Sequence, residues 1–260
     1  MNQKRRYFIE IAFNGTAYHG WQIQKNAISV QQLLNKALST VLRQNIEAVG
    51  CGRTDTGVHA AQLFAHFDVD EDVSNLKGGN ETLALNSGIV TSLNSILPYD
   101  IAVKRIIEVD SNAHARFDAV KRSYKYHIHF EKDPFKRGFS WLLRDKPDIV
   151  LMNQAAALMM EYRDFSSFSK SNTQTFTNNC RISVAEWKEE ADGMVFYISA
   201  DRFLRNMVRA IVGTLVQIGR KEMLPEGIRK VIESQDRSNA GMSVPACGLY
   251  LTEVTYPYIN

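Results

Sequence analysis

Cysteine is scarce in this chain. Three occur in 260 residues, Cys51, Cys180 and Cys247, an odd number, far apart and without a CxxC pair. That spacing argues against a disulfide framework and against a zinc site, and it suits a reducing cytoplasm. No apolar run approaches the roughly 20 residues of a membrane span. The first six residues, Met1-Asn2-Gln3-Lys4-Arg5-Arg6, are basic but no h-region follows, because Tyr7–Phe13 is interrupted by Glu10. Neither a signal peptide nor a membrane anchor is expected. There is no glycine-rich dinucleotide fingerprint after a strand and no P-loop, so no nucleotide cofactor is expected. Low-complexity segments, long linkers and sequence repeats are absent too. Net charge is +3, which permits an acidic partner without demanding one.

Apolar residues make up 45% of the chain, enough for a sizeable core, and the length suits two modest domains or one large one. Tyr7, Ile9, Ile11 and Phe13 alternate as a strand. Ser29 opens a helix with Gln32 three residues on as a capping box, and Val30, Leu33, Leu34, Ala37, Leu38 and Val41 form its buried stripe. A strand is predicted over Ile46–Cys51 and an apolar-rich segment over Val58–Phe67. Gly78-Gly79-Asn80 breaks the chain before a helix across Glu81–Leu97, which Pro98 ends; Ile101–Val109 returns as a strand. The second half reads similarly. Ser123–Phe130 is a strand and Asp148 caps a helix running to about Tyr162. Ile182–Glu189 and Met194–Ala200 form a hairpin around Ala191-Asp192-Gly193. Arg202–Ile218 is a long helix, Pro225–Ser234 a short one, and Leu249–Val254 a last strand. Each half mixes a few strands with about two helices, as in a split βαβ unit. The boundary falls near residue 110, giving domains over residues 1–110 and 111–260.

The densest chemistry lies in Gly52-Arg53-Thr54-Asp55-Thr56-Gly57-Val58-His59-Ala60. One carboxylate stands in a Gly-flanked turn, with a cation two residues before it and an imidazole four after. Gly57 gives the backbone a conformation other residues resist and lets a ligand approach closely. A lone Asp-X-Gly is more often a charged surface turn. Four further islands stand out. Tyr18-His19-Gly20-Trp21-Gln22 sets a glycine between aromatics, with Trp21 readable equally as a core anchor or an RNA contact. His114-Ala115-Arg116-Phe117 is followed by Arg122-Ser123-Tyr124-Lys125-Tyr126. On a strand, Tyr124 and Tyr126 share one face with Arg122 beside them, the interleaving of rings and cations that base stacking and phosphate contact require. In Arg202-Phe203-Leu204-Arg205-Asn206-Met207-Val208-Arg209, Arg205 and Arg209 are four apart and share a helix face with Arg202. The apolar remainder of that helix puts Arg209 near a core, where it needs an anionic partner. Asp55 is a candidate partner, and an arginine beside it would keep the carboxylate ionised, as a nucleophile must be. Gly248-Leu249-Tyr250-Leu251 reads as a strand end.

Two weaker signals compete. His127-x-His129 could present two imidazoles to a metal, but no third ligand is apparent, and a strand that carries histidines is the plainer reading. Asp55-Thr56-Gly57 spells the Asp-Thr-Gly of aspartic proteases, but that machinery needs two carboxylates sharing a proton. This chain has one copy.

In order, Y-x-G-W-Q, G-R-T-D-x-G-V-H, H-A-R-F, R-x-Y-x-Y, D-F-x-S-F at Asp164–Phe168, M-V-R at Met207–Arg209 and G-L-Y-L resemble the tRNA pseudouridine synthase A family from about Tyr7 to Pro257. Thr56 stands where Ala is more usual, and Lys77–Leu93 is longer than usual. The resemblance implies isomerisation of uridine to pseudouridine in the tRNA anticodon stem-loop, just 3′ of the anticodon. Asp55 would be the nucleophile, attacking C1′ of the sugar or C6 of the uracil. Tyr124 would stack on the target base and assist proton removal, and Arg209 would order the site. Arg53 would hold the flipped-out nucleotide, with Arg116, Arg122 and Arg205 as further substrate contacts. No metal or other cofactor is implied. The architecture implied is α+β, with two α/β, ferredoxin- or RRM-like domains joining into one mixed, largely antiparallel sheet around a central catalytic cleft. The family also implies a homodimer in which one tRNA touches both subunits. A tRNA-binding or folding protein that retains the scaffold is the non-enzyme alternative; loss of Asp55 would be its mark, and Asp55 is present.

Overall fold

A computed structural model describes residues 4–70, 84–170 and 176–259, with backbone alone over 84–87. The chain divides into two compact units, Met1–Ala119 with Val254–Asn260, and Val120–Glu253.

The first unit begins with strand β1 (Lys4–Phe13), which pairs antiparallel with β3 (His59–Asp70) on one side and β4 (Ile101–Val109) on the other. A short β2 (Val49–Gly50) pairs antiparallel with β3. The alternation read from Tyr7 to Phe13 sets the register: Ile9 opposes Ala65 and Ile106, Ile11 opposes Leu63 and Val103, and all six are buried. The other face is buried too. There Phe8 packs against Phe64, Tyr256 and Tyr258 at ring separations of 5.1 to 6.4 Å. Helix α1 (Val30–Leu42) starts where the Ser29 hydroxyl accepts the Gln32 N–H, and Leu34 and Leu38 are fully buried. Helix α2 (Ala84–Ile96) packs on β4 and α1. The expected chain break at Gly78-Gly79-Asn80 and the start of its helix lie outside the described residues.

β2 is shorter than the strand predicted over Ile46–Cys51, and α1 is the cause. Ser39 Oγ accepts the Ile46 N–H at 2.9 Å, Asn35 Oδ1 accepts the Ala48 N–H at 3.0 Å, and Gln31 Nε2 donates to the Ala48 carbonyl at 2.7 Å. Helix side chains thus take the backbone groups that a sheet ladder would use.

In the second unit the strand order is β9-β5-β8-β7: β5 (Lys121–His129), β7 (Ile182–Glu190), β8 (Gly193–Ala200) and β9 (Leu249–Thr255), whose last two residues belong to the first unit. β8 is antiparallel to β5 and β7, and a short β6 (Trp141–Leu142) runs parallel to β5, so the sheet is mixed and mostly antiparallel. Helix α3 (Ile149–Met159) packs on β7 and on α4 (Met207–Gly219), and α5 (Gly227–Glu233) packs on α3. Asp148 caps α3, its Oδ1 accepting from Val150 N at 3.0 Å and Leu151 N at 3.3 Å. The fold is therefore α+β.

The long helix predicted from Arg202 starts five residues later. Asn206 adopts a left-handed φ of +69°, which no helical residue shares, and ends any run from the preceding segment. Asp201 Oδ1 holds the Arg202 and Arg181 N–H groups instead. Arg202 and Arg205 therefore precede α4 and do not share a helix face with Arg209.

Candidate active site

Asp55 lies half-buried in the turn between β2 and β3. The turn closes through Val58 N–H donating to the Asp55 carbonyl at 3.1 Å, and Gly57 takes φ +78° to allow it. The Y-x-G-W-Q element clamps this loop from outside. Gly57 N–H donates to the Tyr18 carbonyl at 3.2 Å, and Trp21 N–H donates to the Thr54 carbonyl at 3.4 Å. Gly20, at φ +82°, touches the same carbonyl so closely that a Cβ there would stand 2.2 Å from the Thr54 oxygen. Trp21 is only 1% exposed, so it is a core anchor. The Tyr18 hydroxyl donates to Asp100 Oδ1 through a short hydrogen bond; burial and this bond push the phenol pKa up and keep it a donor. His59 is buried and its Nδ1 accepts the Gly15 N–H at 3.1 Å, which places its proton on Nε2. Two sequence motifs are thus one structural piece, and its function is to fix the backbone on both sides of Asp55.

The H-A-R-F turn is fastened to the same unit. His66 Nδ1 accepts the Ala115 N–H at 3.2 Å, and the Tyr256 hydroxyl donates to the Ala115 carbonyl at 2.6 Å. His114 Nδ1 accepts the Arg116 N–H at 3.1 Å, and Asp118 takes bonds from the His114 N–H and the Tyr258 hydroxyl, both at 2.7 Å. Arg6 donates to both Asp68 oxygens, at 2.7 and 2.8 Å, and to the Ala113 carbonyl at 3.0 Å. The turn displays Arg116 with its guanidinium over the ring of Phe117, which is 74% exposed. Arg116 and Arg53 line one cavity despite their separation in sequence. The scaffold residues His66, Tyr256 and Tyr258 escaped sequence reading.

Both imidazoles in this cluster act as acceptors, which requires their neutral forms. Burial, Arg6 and His114 push His66 down to about 4, against the opposing pull of Asp68 and Asp118; His114 is lowered as well, chiefly by burial. A histidine depressed in the folded state binds fewer protons there than when unfolded. Its stabilisation is complete above the unfolded value near 6.5 and is lost as pH falls towards 4, an effect on the order of 2 to 3 kcal/mol. Urea midpoints measured across this window are expected to fall more steeply for the parent than for His66→Asn, whose amide oxygen accepts without titrating. Equal slopes would show that His66 is not the titrating group.

In the second unit Arg122, Tyr124 and Tyr126 share a face of β5, and they differ sharply in environment. Tyr126 is fully buried, donating to the Pro245 carbonyl at 2.7 Å. Tyr124 is half-buried and meets Phe203 edge-on at 5.1 Å, a neighbour that the Arg202-Phe203 island contained without revealing its use. Arg122 Nη1 donates to the Asp201 carbonyl at 2.9 Å. Arg209 is half-buried in the first turn of α4, and its Nε donates to the Val244 carbonyl at 2.7 Å. Its charge lowers the pKa of both Tyr126 and Cys247, against the burial that raises them. The backbone at 241–244 reaches α4 across Gly213, where a Cβ would stand 1.9 Å from the Met242 carbonyl oxygen. Arg205 is exposed and contributes its carbonyl to Lys170 N–H.

Other motif residues are structural. In D-F-x-S-F, Phe165 and Phe168 are fully buried and the Ser167 hydroxyl donates to the Val231 carbonyl at 2.6 Å. His129 Nδ1 bonds the Ser140 hydroxyl at 3.0 Å and His127 meets Tyr250 edge-on. Among the described residues no three His, Cys, Asp or Glu gather as metal ligands, and no helix is long and apolar enough to cross a membrane.

Known proteins carry the same arrangement of sequence. The family model described as tRNA pseudouridine synthase matches residues 155–257. The tRNA pseudouridine synthase A of Bacteroides thetaiotaomicron is 51% identical over 256 residues, covering 97% of this chain and 91% of that protein. The protein of that name from Porphyromonas gingivalis is 50% identical over 254 residues, 97% of each chain. The one from Exiguobacterium sibiricum is 34% identical over 253 residues, again 97% of each. With half of all positions identical along nearly the full length of both chains, this chain belongs to the tRNA pseudouridine synthase A family.

Proposed function

We propose that this chain isomerises uridine to pseudouridine in tRNA, in the anticodon stem-loop, with Asp55 as the nucleophile. The observation that carries the proposal is the Asp55 turn: one half-buried carboxylate whose flanking backbone is fixed by a dedicated clamp. Fixing a carboxylate costs conformational entropy, and a surface charge gains nothing in return for it. A nucleophile gains a defined approach to its target. Tyr124 supplies a ring for the flipped-out base, and Arg209 supplies the cation of the site. The target leaves the stack to reach the carboxylate. Attack by Asp55 forms a transient bond to the nucleotide, the N1–C1′ bond breaks, the base turns, C5 bonds to C1′, the Asp55 bond breaks, and N1 gains a proton while C5 loses one. No other reactant enters the balance. The protein acts in the cytoplasm as a homodimer.

Release of tritium from tRNA labelled at C5 of uridine tests the activity, because a binding protein or a protease would release none.

The RNA contact is electrostatic in part, and several cations of the chain are held in ion pairs. Arg6 is committed to Asp68, Lys121 to Glu253 at 2.9 Å, and Arg5 to Glu108 at 3.8 Å. Arg53, Arg116, Arg122 and Arg205 are assigned as the phosphate contacts, about four charges. Filter binding of tRNA is expected to weaken roughly tenfold or more between about 50 and 200 mM salt, the counterion release that a few phosphate contacts produce. A flat salt response would remove backbone recognition from the proposal.

A further inference from the structure

Beside the Asp55 loop, Trp21, Gln22, Gly50, Gly52, Arg53 and Arg116 line a cavity of about 160 Å³. Asp55 is not among the residues that line it. A nucleotide seated there is therefore not the one whose glycosidic bond is broken.

The polar groups facing the cavity are held in a defined orientation. Gln31 Oε1 accepts the Ile23 backbone N–H at 3.0 Å, which fixes that atom as oxygen. Its neighbour Gln22 must then present Nε2 to it, as it does at 2.9 Å. Gln22 is left with its carbonyl oxygen and one N–H for a ligand, an acceptor and a donor side by side. The indole edge of Trp21 stands against Gly50, where a Cβ would be 2.5 Å from Nε1. Gly52 has no atom within 4 Å of a Cβ position, so its side of the cavity is open. Arg53 is exposed and has no acidic partner among the described residues, and Arg116 is carried to the same cavity by the braced H-A-R-F turn.

Size selects the occupant. A cavity of about 150 Å³ holds a benzene-sized ring, so this one has room for a monocyclic base. An amide with both donor and acceptor free is what reads the edge of an unstacked base, and paired guanidiniums suit its phosphate.

We propose that this cavity is a second nucleotide site, which captures a pyrimidine of the substrate RNA flanking the target uridine, with Gln22 on the base edge and Arg53 and Arg116 on the phosphate. The proposal rests on tRNA being the substrate.

Anticodon stem-loops carrying an abasic nucleotide at one position at a time test it, with the dissociation constant and tritium release measured on each. The parent is expected to lose about tenfold in affinity at one flanking pyrimidine. Gln22→Ala is expected to lose a similar factor on the intact stem-loop and nothing further at that abasic position. Gly52→Val sets its Cβ where no protein atom lies within 4 Å and narrows the open side, and should reproduce the loss in a variant that melts like the parent. If both variants bind every stem-loop as the parent does, the cavity takes no base and the proposal is overturned, whatever the activity. If the parent binds the stem-loops yet releases no tritium, the isomerase reading fails while the coupling between Gln22 and the abasic position still decides the cavity.

Discussion

Asp55→Asn is expected to form no detectable pseudouridine while binding tRNA within about threefold of the parent. The amide is almost isosteric with the carboxylate, and the contacts that shape the loop are backbone contacts: Val58 N–H to the Asp55 carbonyl, Gly57 N–H to Tyr18 and Trp21 N–H to Thr54. None depends on the charge. What the substitution removes is the anion, and an amide is not a nucleophile towards either C1′ or C6. A general electrostatic role for Asp55 would leave measurable turnover, because removal of one stabilising charge costs only a few powers of ten. Tritium release followed to long times, alongside filter binding and thermal melting, separates these outcomes. A folded Asp55→Asn protein with a substantial fraction of parental turnover would falsify the nucleophile assignment.

Much of the fold was legible in periodicity. β1 and β4 follow alternation in which one face had to be buried, and the caps at Ser29 and Asp148 carry the hydrogen bonds their residue types predict. The misread elements share a physical cause. Over Ile46–Cys51 and Arg202–Asn206 the pattern of side chains suited a regular element, but long-range partners claimed the backbone. Asn35 and Ser39 did so in the first case, and Asp201 together with the left-handed Asn206 in the second. Local pattern does not encode such partners. The site divides in the same way. Asp55, Arg53, Tyr124 and Arg209 were visible as residue types in motifs. The bracing of the H-A-R-F turn by His66, Tyr256 and Tyr258 was not, because those residues lie 49 or more positions from the atoms they hold. Arg6 is a further case: its bidentate pair with Asp68, 62 positions away, makes it part of the scaffold.

If the clamp is what positions Asp55, its most constrained atom should be the most sensitive, and Gly20→Ala is expected to slow single-turnover conversion by about a hundredfold or more. Two costs add. An L-residue at φ +82° is strained by roughly 1 to 2 kcal/mol. The new Cβ would also stand 2.2 Å from the Thr54 carbonyl oxygen, and that atom is backbone, with no side-chain rotation available to relieve it. Thr54 precedes Asp55, so relief comes by moving the segment that carries Asp55 and loosening the Trp21 N–H bond to the same oxygen. A displacement of about 1 Å at a reacting group costs on the order of a hundredfold in rate. Affinity for tRNA should fall far less, because on the proposed reading Arg53, Arg116 and Arg122 would meet the RNA through side chains that can follow it. Gly88→Ala is the matched control: it lies in α2 with no atom within 4 Å of a Cβ, and alanine there should be neutral or stabilising by about 0.5 to 1 kcal/mol. Single-turnover rates, tRNA affinity and melting temperature for the two variants decide the matter. A Gly20→Ala protein that melts several degrees lower yet converts bound tRNA at the parental rate would show that the clamp serves stability alone, and that the carboxylate finds its position by other means.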